Sequence, residues 1–270
     1  MKKSILSLCI LIFFFACKKN DSNTPASTGT LVTSIRSSDY TQQQLSIDSF
    51  VYDDHKNIIR IIVWDIDTLQ VPVISDSTVL KFTYTGSGAN PSSYLKNYYY
   101  GSTSGTPIIS DTENHTLTYD NQGRVIFDTT SDNGGRARRF KYTSSYIAVN
   151  QVPYKDTYDT LFLNNGNVTA YSAYSDQYGI DFANVYTPAG TQNPFYNVNS
   201  AIGAAIGPLV FIEAYVDFIS KNSPATSKDD FNGINLEYSY TTNSAGLPLK
   251  VLAKDRGTGI VVGSLVYNYQ

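Results

Sequence analysis

Asp65 and Asp67 stand two residues apart, so on a strand their carboxylates share one face, with Asp53 and Asp54 in the turn before it. Carboxylates so placed suit calcium binding or acid–base work. No D-x-[DN]-x-[DN]-G loop accompanies them, and solvated charge at a strand end is the plainer expectation. Asp176 and Asp181, separated by Gln177-Tyr178-Gly179-Ile180, repeat the pattern in weaker form. His55 and His115 are the two histidines, and neither stands in a metal-ligand spacing. His55 falls in a turn, and both are expected at the surface or its boundary. Arg136, Arg138 and Arg139 follow Gly134-Gly135. On a strand Arg136 and Arg138 face one way and Arg139 the other. A patch for an anionic glycan or phosphate is one use for them, and pairing with Asp128 and Asp132 is the favoured one. None of these sets supplies a nucleophile with its base, so no catalytic residue, metal site or cofactor is assigned and no enzyme is expected.

Tyrosine is the strongest compositional signal, with 22 residues against one Met and one Trp. Tyr98-Tyr99-Tyr100 puts rings on both faces of a strand, and Tyr171, Tyr174 and Tyr178 follow further on. Exposed rings lining a groove suit stacking on sugar or peptide, so Tyr98, Tyr100, Tyr171, Tyr174 and Tyr178 form the candidate ligand-binding set. Tyrosine is also a favoured residue on a half-wet strand face. The two cysteines, Cys9 and Cys17, both lie before the polar segment 18-29, which excludes a disulfide framework and a cysteine nucleophile from the rest of the chain. The formal charge is −3, and the basic residues Lys2 and Lys3 lie in the leader. This mild acidity argues against nucleic acid as a partner and against electrostatic adhesion to anionic lipid.

The elements that must position these residues begin after residue 29. Lys2 and Lys3, then an apolar run from Leu6 to Phe15, then Ala16-Cys17, give the order of a secretory leader ending at an acylated cysteine. The run is short for a transmembrane helix. Residues 18-29 are rich in Ser, Thr and Asn and read as a flexible tether. Residues 30-270 read as one β-rich domain with a helix near 208-220. That helix begins at Gly207-Pro208 and carries Leu209, Ile212, Val216 and Ile219 on one face. Val210, Phe211, Ala214 and Phe218 extend the apolar surface around it, which predicts burial. Ser220 to Pro224 reads as its stop, and Ala225 to Asn232 as a polar crossover.

Around that helix the chain alternates between short β runs and turns. Hairpins are predicted for Ser46–Tyr52 with Ile58–Ile66, Thr78–Thr85 with Tyr94–Tyr100, and Thr116–Tyr119 with Arg124–Thr130. Others pair Arg138–Thr143 with Tyr146–Val152, Asp159–Leu163 with Val168–Tyr174, and Ile234–Tyr240 with Leu249–Lys254, and Leu265–Tyr269 closes the chain. Ile58 to Trp64 is apolar on both faces, whereas Leu80, Phe82 and Tyr84 alternate with Lys81, Thr83 and Thr85. A sheet with one dry face must cover it. The expected fold is therefore mainly β: a strongly curved antiparallel meander sheet wrapped around one buried helix. A closed β-barrel with the helix across one end is the alternative.

Tyr119-Asp120-Asn121-Gln122-Gly123-Arg124-Val125 closely resembles the tyrosine-aspartate (YD) repeat of bacterial cell-surface proteins, whose unit is a β-hairpin. Ala16-Cys17 resembles a bacterial lipobox, with Phe14 where Leu is most common. Asn193-Pro194-Phe195-Tyr196, the apolar helix, Tyr238-Ser239-Tyr240 and Gly246-Leu247-Pro248 together look like uncharacterised Bacteroidetes lipoproteins. That resemblance implies a β-rich protein anchored to the membrane through lipid on Cys17, in the cell envelope, as an outer-membrane lipoprotein facing the periplasm or the outside. The expected function is a non-enzymatic binding or structural module for a glycan, a peptide or an envelope protein. A carrier of a lipid or other apolar ligand, held between helix and concave sheet, is the alternative, and a hydrolase using paired carboxylates ranks last.

Overall fold

The computed structural model describes residues 30–67, 74–85, 90–100, 108–131, 137–152, 157–175, 179–196, 219–230 and 233–270. The first eight strands are β1 (Val32–Asp39), β2 (Gln44–Tyr52), β3 (Ile58–Asp67), β4 (Ile74–Tyr84), β5 (Pro91–Tyr100), β6 (Ile108–Tyr119), β7 (Val125–Thr130) and β8 (Ala137–Tyr142). The rest are β9 (Tyr146–Val152), β10 (Thr157–Asn164), β11 (Asn167–Ser175), β12 (Gly179–Gln192), β13 (Asn222–Asp229), β14 (Ile234–Thr242), β15 (Pro248–Asp255) and β16 (Val261–Tyr269). Every neighbour in sequence is an antiparallel neighbour in space, and β1 pairs with β16 to close a sixteen-stranded barrel.

This corrects the expectation of an open curved sheet wrapped around a helix. The seam runs from Val32↔Tyr269 to Asp39↔Gly263, so both edges find a partner in each other. Gly263 permits the approach, because a Cβ there would stand 2.9 Å from the Ser38 carbonyl oxygen. Among the described residues no helical element forms. The helix expected at 208-220 falls almost wholly on 197–218, outside the described residues, and Ile219 is partly buried against the core. The expected crossover is a strand instead: β13 is polar in sequence, NSPATSKD, yet hydrogen-bonds between β12 and β14.

Along the middle of the strands, side chains mostly alternate between a dry inner wall and a wet outer one. Ile61, Val63, Leu80, Phe82, Val149, Leu161, Val168, Tyr171 and Val251 point inward and are buried. Sixteen strands around an open lumen would leave such side chains wet. Here they are dry, so the interior at this level is filled. Arg36, Arg60, Lys81, Arg139, Lys141, Lys228, Glu237, Lys250 and Lys254 are exposed on the outer wall.

One rim is fastened by a repeated device. Tyr52 donates from its hydroxyl to the Val32 carbonyl, Tyr84 to Ile58, Tyr119 to Pro91, Tyr240 to Pro224 and Tyr269 to Pro248. Each ties the end of an even-numbered strand to the start of the odd-numbered one before it. The turns at this rim repeat too. Asp53, Asp120 and Asn243 each accept two backbone N–H bonds on one side-chain oxygen, from residues two and four positions on. The fourth residue of each turn has positive φ; it is glycine at Gly123 (75°) and Gly246 (77°), and Lys56 (67°) takes the same conformation in the first turn.

Candidate functional site

The inner wall is interrupted by charge on four adjacent strands. Register puts Tyr94 opposite His115 and Lys96 opposite Glu113 across β5 and β6, and Asp128 opposite Arg138 across β7 and β8. All six side chains therefore face the interior. His115 Nδ1 lies 2.7 Å from Asp128 Oδ1, and its Nε2 lies 3.3 Å from Glu113 Oε2. Lys96 Nζ lies 3.4 Å from the same Glu113 oxygen and 4.2 Å above the Tyr98 ring. Arg138 pairs with Asp128 through Nη2, which also donates to the Tyr94 hydroxyl at 3.0 Å. Tyr94 in turn donates to Asp128 Oδ2 at 2.9 Å, and its ring stacks on His115 with centroids 4.1 Å apart.

Asp128 is the hub, only 1% exposed. Burial alone would push its carboxyl up. The Arg138 guanidinium and the hydrogen bonds from His115 and Tyr94 overcome that and hold it below the usual carboxylate range. Burial brings the Lys96 ammonium down to about 8, against the opposing pull of Glu113. The arrangement holds an imidazole between two carboxylates, with each carboxylate also paired to a cation. Chemically it can hold and relay a proton.

A second group lies toward the other rim. Asp48, Asp65 and Asp76 share the inner face, with Asp65 directly opposite Asp76. Burial, then the Asp65 charge, raises the Asp48 carboxyl to about 7; burial also raises Asp65. The folded chain thus keeps a proton on Asp48 that the unfolded chain releases near ~3.9. Stability is expected to fall as pH rises from about 4 to about 7, where the unfolded chain has released that proton and the fold still holds it, and to level off above. Urea midpoints at the two pH values should show this fall, and Asp48→Asn should flatten it. Among the described residues no group of three or more His, Cys, Asp and Glu is placed to hold a metal ion.

The residues named from sequence are scattered by the fold. Tyr98 lies on the inner wall beneath Lys96, Tyr171 is buried in the core, Tyr174 is half-buried on the opposite side of its strand, and Tyr100 is 62% exposed at a strand end. Tyr178, Asp176, Arg136 and Cys17 lie outside the described residues, as do Phe211 and Phe218, around which an apolar cavity was expected. Asp65 joins Asp48 and Asp76, while Asp53 and Asp54 stay in the β2–β3 turn with exposed His55. Arg138 pairs with Asp128 as expected, and Arg139 faces outward over Phe127 at 5.0 Å.

His115 is the correction: a surface or boundary position is expected from sequence, and the structure buries it at the centre of the cluster. The signal was its place in the alternation. Glu113, His115, Leu117 and Tyr119 form one face of β6, and Tyr94, Lys96 and Tyr98 one face of β5. A charge occupying a dry-face position is a buried charge.

No protein-family model matches the chain, and no curated protein matches it. Among solved structures it is similar to a porin-like protein from Bacteroides uniformis, with a TM-score of 0.53 at 10% identity, covering 90% of this chain and 98% of the other. It is also similar to a porin-like protein from Bacteroides vulgatus, with a TM-score of 0.48 at 10% identity, covering 89% of this chain and 99% of that one. At such identity the likeness to the first is one of fold: a mainly β, closed antiparallel barrel.

Proposed function

We propose that the chain is a lipid-anchored envelope protein whose barrel stands outside the bilayer as a non-enzymatic binding or structural module. The observation that carries this is the polarity of the wall. A membrane-spanning barrel turns an apolar band outward and a polar surface inward. This barrel does the reverse, with Arg36, Arg60, Lys81, Lys141, Lys228 and Lys250 outside and Ile61, Leu80, Val149 and Leu161 inside. Each Arg or Lys on a lipid-facing wall costs ~2–4 kcal/mol at the bilayer midplane. Several together exceed the ~5–15 kcal/mol that holds a typical domain folded. The dry interior speaks equally against an aqueous channel.

Attachment must then come from elsewhere, and Cys17 behind its apolar leader is the candidate. The YD-like hairpin at Tyr119-Asp120 and the barrel neighbour from Bacteroides uniformis support an outer-membrane lipoprotein of the Bacteroidetes type. A glycan, peptide or envelope protein is the proposed ligand, with Tyr100 at the strand end and Tyr98 behind it as the rings of the candidate set nearest a rim.

Mass spectrometry of the mature N-terminus is expected to find acyl chains on Cys17. Replacing residues 1–17 by a cleavable secretory signal and a terminal Ala is expected to move the protein from the membrane to the soluble fraction. A version that stays in carbonate-washed membranes would mean that the barrel itself is embedded, and the proposal would be wrong.

A further inference from the structure

The outer wall is not uniform. On β2 to β5 its midline is apolar: Ile47 lies opposite Trp64, Trp64 opposite Ser77, and Ser77 opposite Tyr99. The adjoining outward positions hold Leu45, Ile62, Ile66, Val79 and Leu95, with Ser49 and Asn97 among them. Trp64 is 39% exposed. Arg36, Arg60 and Lys81 are exposed on this same face. Among the described residues the outward positions of β1 to β5 include no acid, although the chain carries 23 Asp and Glu and a net charge of −3. Asp39, Asp48, Asp65 and Asp76 of these strands sit at inward positions.

We infer that this face of the barrel rests on the phospholipid surface, with Trp64 and its apolar neighbours seated in the headgroup boundary and Arg36, Arg60 and Lys81 on lipid phosphates. An amphipathic surface of this composition, with Trp, aliphatic side chains and flanking cations, binds in the interface plane and buries its apolar part ~5–10 Å deep. The net acidity of the whole chain does not oppose it, because the charge that meets the lipid is the local one, within a Debye length of ~8–10 Å. The inference rests on the lipid anchor proposed above, and the tether favours this wall. The roughly 14 residues between Cys17 and Val32 span at most ~50 Å when extended. β1 starts at the rim where β3 also starts, and Trp64 lies about 20 Å along its strand from that rim. Acylation therefore holds the membrane within reach of β1 to β5.

The chain has a single tryptophan, so its fluorescence reports this face alone. The mature acylated protein is reconstituted into phosphatidylethanolamine–phosphatidylglycerol vesicles with and without brominated acyl chains. For a ring seated at interfacial depth, Trp64 emission is expected to drop about twofold in brominated vesicles. A variant combining Trp64→Phe with Phe162→Trp moves the probe to an exposed position seven strands away around the barrel, and is expected to show no drop. Unquenched Trp64 in a protein that floats with the vesicles overturns the docking inference and leaves the anchor standing. A blue-shifted but unquenched Trp64 also overturns it, because a second copy or another protein would then cover the face. Failure to float at all is the separate failure of the anchor.

Discussion

Asp128→Asn is expected to lower the unfolding free energy by about 3–5 kcal/mol, because it leaves Arg138 and His115 buried without the charge that both of them face. The loss is large for a reason that geometry supplies. Asp128 is 1% exposed and the Arg138 side chain 15%, so the pair meets largely away from water. Urea unfolding of the two proteins at neutral pH measures it directly. A loss below about 1 kcal/mol, the size of an exposed pair, would mean that water reaches the cluster. The double change Asp128→Leu with Arg138→Met should recover most of the loss, since apolar residues of similar volume often replace a buried pair at little cost. Acid probes the same group. The folded carboxyl lies below its unfolded value, so its contribution is complete above ~3.9 and disappears as pH falls through the lowered value.

Phe195→Ala should be of similar size, about 3–5 kcal/mol. Phe195 is 1% exposed and packs on Phe50 with ring centroids 5.2 Å apart, closing the barrel beneath β2. It is held there by a buried polar knot. Asn193 accepts the Phe195 N–H at 2.9 Å and donates to the Ser220 carbonyl at 2.7 Å. The Ser220 hydroxyl accepts the Val168 N–H at 3.1 Å, and Asn167 accepts the Asn222 N–H at 2.7 Å. Asn193→Ala, by orphaning those groups, should cost about 1–3 kcal/mol. Thermal and urea midpoints check both variants. A wild-type midpoint for Phe195→Ala would show that the 193–196 turn is not part of the core.

The hairpins were legible because their physics is local. Asp53, Asp120 and Asn243 open turns whose required conformation falls on Lys56, Gly123 and Gly246, and the strands on either side alternate cleanly. Closure was legible only as the alternative to an open curved sheet. β1 reads VTSIRSSD and β13 reads NSPATSKD; each shows few apolar residues, and each is held by two neighbours rather than by its own pattern. Without those two strands the sheet has raw edges, and a helix looks like the natural cover for its dry face. The ionic cluster was half legible: Arg138 with Asp128 follows from proximity in sequence, but His115 reaches Asp128 only through the pairing of β6 with β7. Polar residues at dry-face positions gave the warning, and composition alone gave none.

The seam between β1 and β16 sets the order of assembly. It joins Val32 to Tyr269, so the first strand of the barrel waits for the last. Until the nine residues of β16 arrive, two unpaired borders of backbone N–H and C=O groups stand open to any passing β segment. Such long-range pairing is slow. A barrel built this way is most exposed to aggregation just before β16 pairs with β1 and least exposed immediately afterwards, when the ring has no border left to offer.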